Sequence, residues 1–225
     1  MDNIIILINK VGQQIFQNPS PLADYETLAL KSLGSNTYRG FHRIDKSKKG
    51  SKVIFEKILI ENSKHIIDSI KKAKNAEDID TLETQLCKDL TSELKNIKSS
   101  QLSSFNKLRK PVDIFIEHLV AMGNDFDNAR QYLTKHLFLP LDSQMFKSNF
   151  VFSDKEISEL KIKRTYTFKD IEDEKQYYDI QEFLRQKAIK VGISNRIFFD
   201  LIWNDRYKSA GKNLFETNDK NLLIR

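Results

Sequence analysis

Two side chains stand out for the chemistry that their types and settings allow, Lys110 and Asp142. A lysine amine attacks only when neutral, against an unperturbed pKa of about 10.4. Burial, a neighbouring cation and the positive end of a helix each lower that value. Lys110 follows Arg109, has Lys107 nearby, and precedes Pro111, a residue favoured in the first turn of a helix. The sequence therefore predicts Lys110 at a helix mouth among cations. The same turn, with Asn106, Lys107 and Arg109, is an arrangement for holding phosphate, because backbone N–H groups and the helix dipole both attract anions. Asp142 lies in Leu139-Pro140-Leu141-Asp142-Ser143-Gln144, where Pro140 stops one element and Asp142 caps the next. A carboxylate at an N-cap accepts backbone N–H bonds, and it can steady developing positive charge or receive a proton from an attacking amine. Each residue also has a plain reading, a solvated lysine before a helix and an aspartate that only caps.

The elements that must position this pair are all predicted to be helical. Ile4, Ile5, Leu7, Ile8, Val11 and Ile15 give residues 3–16 a broad apolar face, and a second helix follows Ser20-Pro21 and stops at Gly34. Val53 to Lys74 reads as one helix. Asp80 with Glu83 reads as a capping box opening a helix to about Lys98. Pro111 opens a helix ended by Gly123, and a further helix runs through Ala129 and Leu137. Ser153 with Glu156 forms another capping box, Thr167 starts a long helix to Val191, and Ser194 starts a last one ending near Trp203. No alternating strand of useful length occurs. The expected fold is all-α, a two-lobed helical bundle, with residues 1–98 as N-terminal helices, 99–204 as the catalytic helices and 205–225 as a tail.

Composition narrows the class. Gly 7 and Pro 4 are few for the length, which favours helices over a turn-rich β fold. The single Cys87 excludes an internal disulfide framework and a cysteine zinc site. The apolar run Ile4–Ile8 is too short to span a bilayer and lacks the flanks of a signal peptide, so a cytoplasmic protein with no membrane association is expected. Arg39, Arg43, Lys46, Lys48, Lys49 and Lys52 face the single acid Asp45 within 39–52, a window nearly matching the net charge of +6 for the whole chain. Such a loop, with Tyr38 and Phe41 beside it, suits nucleic-acid phosphates; a solvated loop is its plain reading.

Lys110-Pro111-Val112-Asp113-Ile114-Phe115, followed by Leu139-Pro140-Leu141-Asp142-Ser143-Gln144, resembles the active-site region of the helix-hairpin-helix (HhH-GPD) superfamily of DNA glycosylases. The interval between Lys110 and Asp142 is similar to that of the archaeal 8-oxoguanine glycosylase branch. The family's Gly-x-Gly hairpin turn is replaced here by Ser103-Ser104-Phe105-Asn106-Lys107-Leu108-Arg109. The resemblance implies a bifunctional glycosylase and AP lyase in which Lys110 attacks C1′ of the deoxyribose and Asp142 assists. It implies double-stranded DNA with a damaged base as partner, and neither cofactor nor metal. Such enzymes flip the base into a pocket. Phe115, Gln144, Phe199, Asp200, Trp203 and Gln13 are the candidates for that pocket, and Asn106, Lys107, Arg109, Ser143 and the 39–52 basic residues for the DNA backbone.

Two other readings compete with this one. A non-catalytic helical module would bind nucleic acid or protein through 39–52. A metal-dependent nuclease would use Asp113 and Glu117 on one helical face, with Asp179, Glu182 and Lys187.

Overall fold

The computed structural model describes residues 2–17, 22–32, 34–38 and 40–202. The architecture is all-α, and among the described residues the only β pairings are two isolated bridges, Ala23 with Gly123 and Arg43 with Ile97. Among the same residues, no helix is long and apolar enough to cross a membrane. Trp203, Arg39 and the 205–225 tail lie outside the described residues.

Helix α1 (Asp2–Gln17) follows the apolar spacing expected of it, whereas α2 (Tyr25–Lys31) starts under an Asp24 cap that accepts from Thr27 N at 2.8 Å, and the expected Ser20-Pro21 start lies outside the described residues. The single helix expected over Val53–Lys74 is instead α3 (Ser51–Glu61) and α4 (Ser63–Lys72). The break is Asn62, whose amide Nδ2 bonds back to the Ile58 carbonyl at 2.9 Å and competes with the helix ladder. Helix α5 (Ala76–Glu93) starts before Asp80, because Asn75 caps it by accepting from Asp78 N at 2.9 Å. Asp80 and Glu83 are therefore interior residues, not a cap.

Helix α6 (Phe105–Met122) is the axis of the molecule, with most of its residues buried. It begins at Phe105, so Pro111 stands inside the helix and Lys110 is well past its mouth. The first N–H groups of α6 are met by protein carbonyls: Phe105 N donates to Glu172 O at 2.9 Å and Asn106 N to Ile171 O at 3.3 Å. These two amides are therefore not open to an anion. Helices α1, α2, α5, α7 (Arg130–Thr134) and α10 (Glu174–Val191) all pack against α6.

Beyond α7, an extended buried stretch from Leu137 to Leu141 leads to α8 (Ser143–Lys147), and α9 (Asp154–Glu159) has the expected Ser153–Glu156 capping box. The long helix expected from Thr167 is divided. Thr167 and Asp170 form a capping box around the 3-10 helix Phe168–Asp170, and α10 starts afresh under an Asp173 cap. Gly192, with φ +81°, ends α10 in the left-handed conformation that glycine adopts without strain. The last element is a 3-10 helix, Arg196–Ile202, packed on α1 and α8. Asn9 of α1 ties this end: its Nδ2 donates to Gly192 O at 2.7 Å and its Oδ1 accepts from Ser194 N at 2.8 Å. A cut at residue 98 would thus separate α1 from its packing partners.

Candidate active site

The Leu137–Leu141 stretch makes no helix, so its backbone groups need partners of another kind. Gln181, a buried polar residue on the inner face of α10, supplies them: Leu139 N donates to its Oε1 at 3.1 Å, and its Nε2 donates to Leu139 O at 2.7 Å. Arg196 donates from Nε to Leu137 O at 2.8 Å. Asn106 of α6 completes the hold by donating to Leu141 O at 3.0 Å. Clamped at these points, the stretch delivers Asp142 to the start of α8. There its Oδ1 accepts from Gln144 N at 2.9 Å and Met145 N at 3.4 Å.

The other carboxylate oxygen of Asp142 meets Lys110. Lys110 Nζ lies 3.2 Å from Asp142 Oδ2, with the Asp142 side chain 2% and the Lys110 side chain 12% exposed. The amine also stands over the Phe168 ring, 5.1 Å from its centroid. Asn106 links these walls, because its Nδ2 donates to Phe168 O at 3.0 Å as well as to Leu141 O. One buried amide thus ties both sides of the lysine to the helix that carries it.

Several candidates named for the DNA backbone turn inward instead. Asn106 is fully buried and serves as that tie. Lys107 is buried too. Its amine donates to Gly40 O and Gln101 Oε1 and lies 5.0 Å from the Phe41 ring centroid. Burial, with the Lys169 charge nearby, pushes this amine down to about 8. Arg109, 1% exposed, donates to Asp113 Oδ1 and Asp80 Oδ1 at 2.8 Å each and to Glu83, with its guanidinium between the Phe138 and Tyr177 rings. Burial raises the Glu83 and Asp113 carboxyls, and Arg109 opposes that rise. These side chains have no route to a phosphate because their donors are already engaged inside the protein. The Asp80–Glu83 spacing, read in sequence as a cap, places two carboxylates on one helix face toward Arg109.

The base-pocket candidates divide. Gln144 is exposed and Ser143 partly so, both on the Asp142 turn. Phe115 is fully buried edge-on to Tyr25, and Phe199 is fully buried against Phe150, so both rings are core in this state. Asp200 is also fully buried. Gln13 is exposed and lines a cavity of about 130 Å³ with Phe16, Thr134, Asn195 and Phe198; neither Lys110 nor Asp142 lines it.

The basic loop is built rather than loose. Ile44 N donates to Asn96 O at 2.6 Å and Lys98 N to His42 O at 3.0 Å. Asp45 caps the turn by accepting from Ser47, and Arg43 donates to Lys48 O at 2.7 Å. Lys46, Lys48 and Lys49 stand in solvent beside Arg43, whereas Lys52 belongs to α3 and pairs with Glu56 at 3.4 Å. The root of the loop, Gly40, is held by Lys107 one turn from Lys110, and a Cβ on Gly40 would lie 3.4 Å from Phe168 Cζ.

The carboxylates proposed for a nuclease are mostly engaged elsewhere. Asp113 accepts from Arg109 and from Tyr177 at 2.8 Å, Asp179 pairs with Lys175, Glu182 with Arg185, and Lys187 with Glu156. Among the described residues no group of three His, Cys, Asp or Glu side chains is arranged to hold a metal ion. Sequence reasoning missed Phe168 and the ties made by Asn106 and Gln181. Gln181 alone carried a signal, as a polar residue on the apolar stripe Tyr177, Ile180, Leu184 and Ala188.

Comparison of the chain with protein-family models, with curated proteins and with solved structures finds no match.

Proposed function

We propose that the protein is a bifunctional DNA glycosylase and AP lyase that removes an oxidised purine, 8-oxoguanine, through a Schiff base on Lys110. The observation that carries this reading is the 3.2 Å approach of Lys110 Nζ to Asp142 Oδ2 in a site that most solvent does not reach. The resemblance of these two segments to glycosylase motifs supports it. So does the packing of α5 and α6 as a helix pair joined across residues 94–104, and so does the exposed cationic loop rooted beside the amine.

In this mechanism the neutral Lys110 amine forms a bond to C1′, and the C1′–N9 bond breaks with its electron pair leaving on the base, which takes a proton from solvent. Asp142 Oδ2 accepts the proton released from Nζ. The C1′–O4′ bond then opens to give the protonated imine, and Asp142 returns its proton to O4′. Loss of a C2′ proton expels the 3′ phosphate, and water hydrolyses the imine to restore the amine. The N-cap bonds to Asp142 Oδ1 leave Oδ2 aimed at Lys110, so the acceptor is oriented before substrate arrives.

The test is reductive trapping. With an 8-oxoguanine duplex and borohydride, a covalent protein–DNA adduct is expected, and Lys110→Gln should abolish it. Asp142→Asn should slow it by about 10²–10⁴-fold, the usual range for a positioned proton acceptor. Absence of any adduct on duplexes bearing the common oxidised, deaminated and alkylated bases would refute the lysine-nucleophile mechanism.

A further inference from the structure

Phe168 is only partly buried, yet the segment that carries it is held more firmly than an exposed turn requires. Thr167 and Asp170 close it as a capping box. Ser104 Oγ donates to Ile171 O at 2.9 Å, and the first two amides of α6 donate to the carbonyls of Glu172 and Ile171. Asn106 Nδ2 holds the carbonyl of Phe168 itself. The bonds from Ser104, Phe105 and Asn106 all come from the first turn of α6, one turn before Lys110. The result is a ring fixed with its face toward the amine, at 5.1 Å, on a different segment from Asp142.

We propose that Phe168 is a positioning residue for Lys110: its ring and the Asp142 carboxylate hold the amine between them, and the 167–172 segment is a fixed wall of the site. The role rests on the reading of Lys110 as nucleophile. A flexible four-carbon lysine stem has many rotamers, and a second contact restricts them. The negative face of an aromatic ring attracts a cation without offering a proton acceptor, so the ring orients Nζ and leaves Asp142 as the proton's destination. Of the charged groups on the elements that flank the amine, Lys107 lies one turn earlier on α6 and is turned toward Gly40, Arg109 and Asp113 pair with each other, and Lys169 and Asp170 are carried by the 3-10 helix. Asp170 is engaged by Thr167.

The experiment reads the Lys110 amine directly, by NMR of lysine labelled at Cε in the free protein, so that its outcome does not depend on DNA chemistry. Replacing Phe168 with trifluorophenylalanine keeps the shape and drains the ring face of electron density. The Lys110 titration midpoint should fall by about half a pH unit, as expected for weakening a partly exposed cation–π interaction. Phe168→Leu should move it at least as far, and Phe168→Tyr should keep the wild-type midpoint. Where adduct formation is observed, the acid limb of its pH profile should shift by the same amount. An unchanged midpoint in the fluorinated and leucine proteins, both folded by circular dichroism, would overturn the role of Phe168. Wild-type protein that forms no adduct but shows the midpoint shift would instead overturn the glycosylase reading alone.

Discussion

Replacing Asn106 with alanine tests whether one amide holds the site together. The substitution removes one buried and one partly buried hydrogen bond and leaves the carbonyls of Leu141 and Phe168 without this donor. Leaving a buried polar group unsatisfied costs roughly 1–3 kcal/mol, and carbonyls fall toward the low end. Two of them, with the missing packing of a fully buried side chain, give a destabilisation of about 2–4 kcal/mol. Domains of this kind are stable by roughly 5–15 kcal/mol, so the variant should still fold. With a urea slope near ~3 kcal/mol per molar, the midpoint of denaturation should drop by about 1 M. Adduct formation should fall further than the unfolded fraction accounts for, because the walls bearing Asp142 and Phe168 are no longer tied to the helix bearing Lys110. Asn106→Asp adds a pH signature. A carboxylate facing two carbonyls in the interior is favoured in its protonated form, so its folded pKa rises above the unfolded value of about 3.9. The folded state then binds more protons than the unfolded one, and stability falls as pH rises from about 4. A midpoint shift below about 0.2 M for Asn106→Ala, with the slope unchanged, would refute the tie.

Three further outcomes follow from named interactions. Burial holds the Lys107 amine down to about 8 in the folded protein, against about 10.4 in the unfolded chain, so the unfolded state binds more protons between those values. Wild-type stability should therefore rise with pH from about 8 to about 10 relative to Lys107→Met; parallel urea midpoints across that range would contradict the assignment. Gly12→Ala should gain about 1 kcal/mol of helix propensity yet forfeit more, because the new Cβ would lie 2.5 Å from the Phe198 ring. A net destabilisation of about 1–2 kcal/mol is expected, and a higher melting temperature would count against the packing of α1 on 196–202. Lys46→Ala with Lys49→Ala should leave melting unchanged and lower DNA affinity, with the salt slope reduced by up to ~0.9 for each phosphate no longer neutralised. Unchanged affinity at low salt would remove the loop from DNA binding.

The all-helical class was legible because apolar residues recur at helical spacing in nearly every segment. The Asp142 cap was legible because Pro-Leu-Asp-Ser carries its signal within four residues. Longer-range facts were not. Pro111 suggested a helix start, but the start of α6 is set at Ser104 and by carbonyls of residues 171 and 172, far along the chain. Asp80 and Glu83 have the same spacing whether they cap a helix or share a face, and only the packing of α5 on α6 decides between the two. Lys107 and Arg109 read as surface cations because their partners, Gly40 and Glu83, come from distant segments. The pairing of Lys110 with Asp142 joins two residues the sequence singled out, whereas Phe168 beside them carries no local pattern that marks it.

The tie between Asn9 and the Gly192–Ser194 turn has a consequence for how the chain is made. At a synthesis rate of about 5–20 residues per second, α1 emerges roughly 10–40 s before residues 192–202 exist to complete its docking. During that interval Ile8, Val11 and Ile15 have α6 and α7 as incomplete cover at best, and before those helices emerge they have none. The nascent chain therefore presents the apolar face of α1 to its surroundings until those helices emerge. Docking of α1 onto the 192–202 segment is therefore a late event, because it joins residues 183 and 185 positions apart.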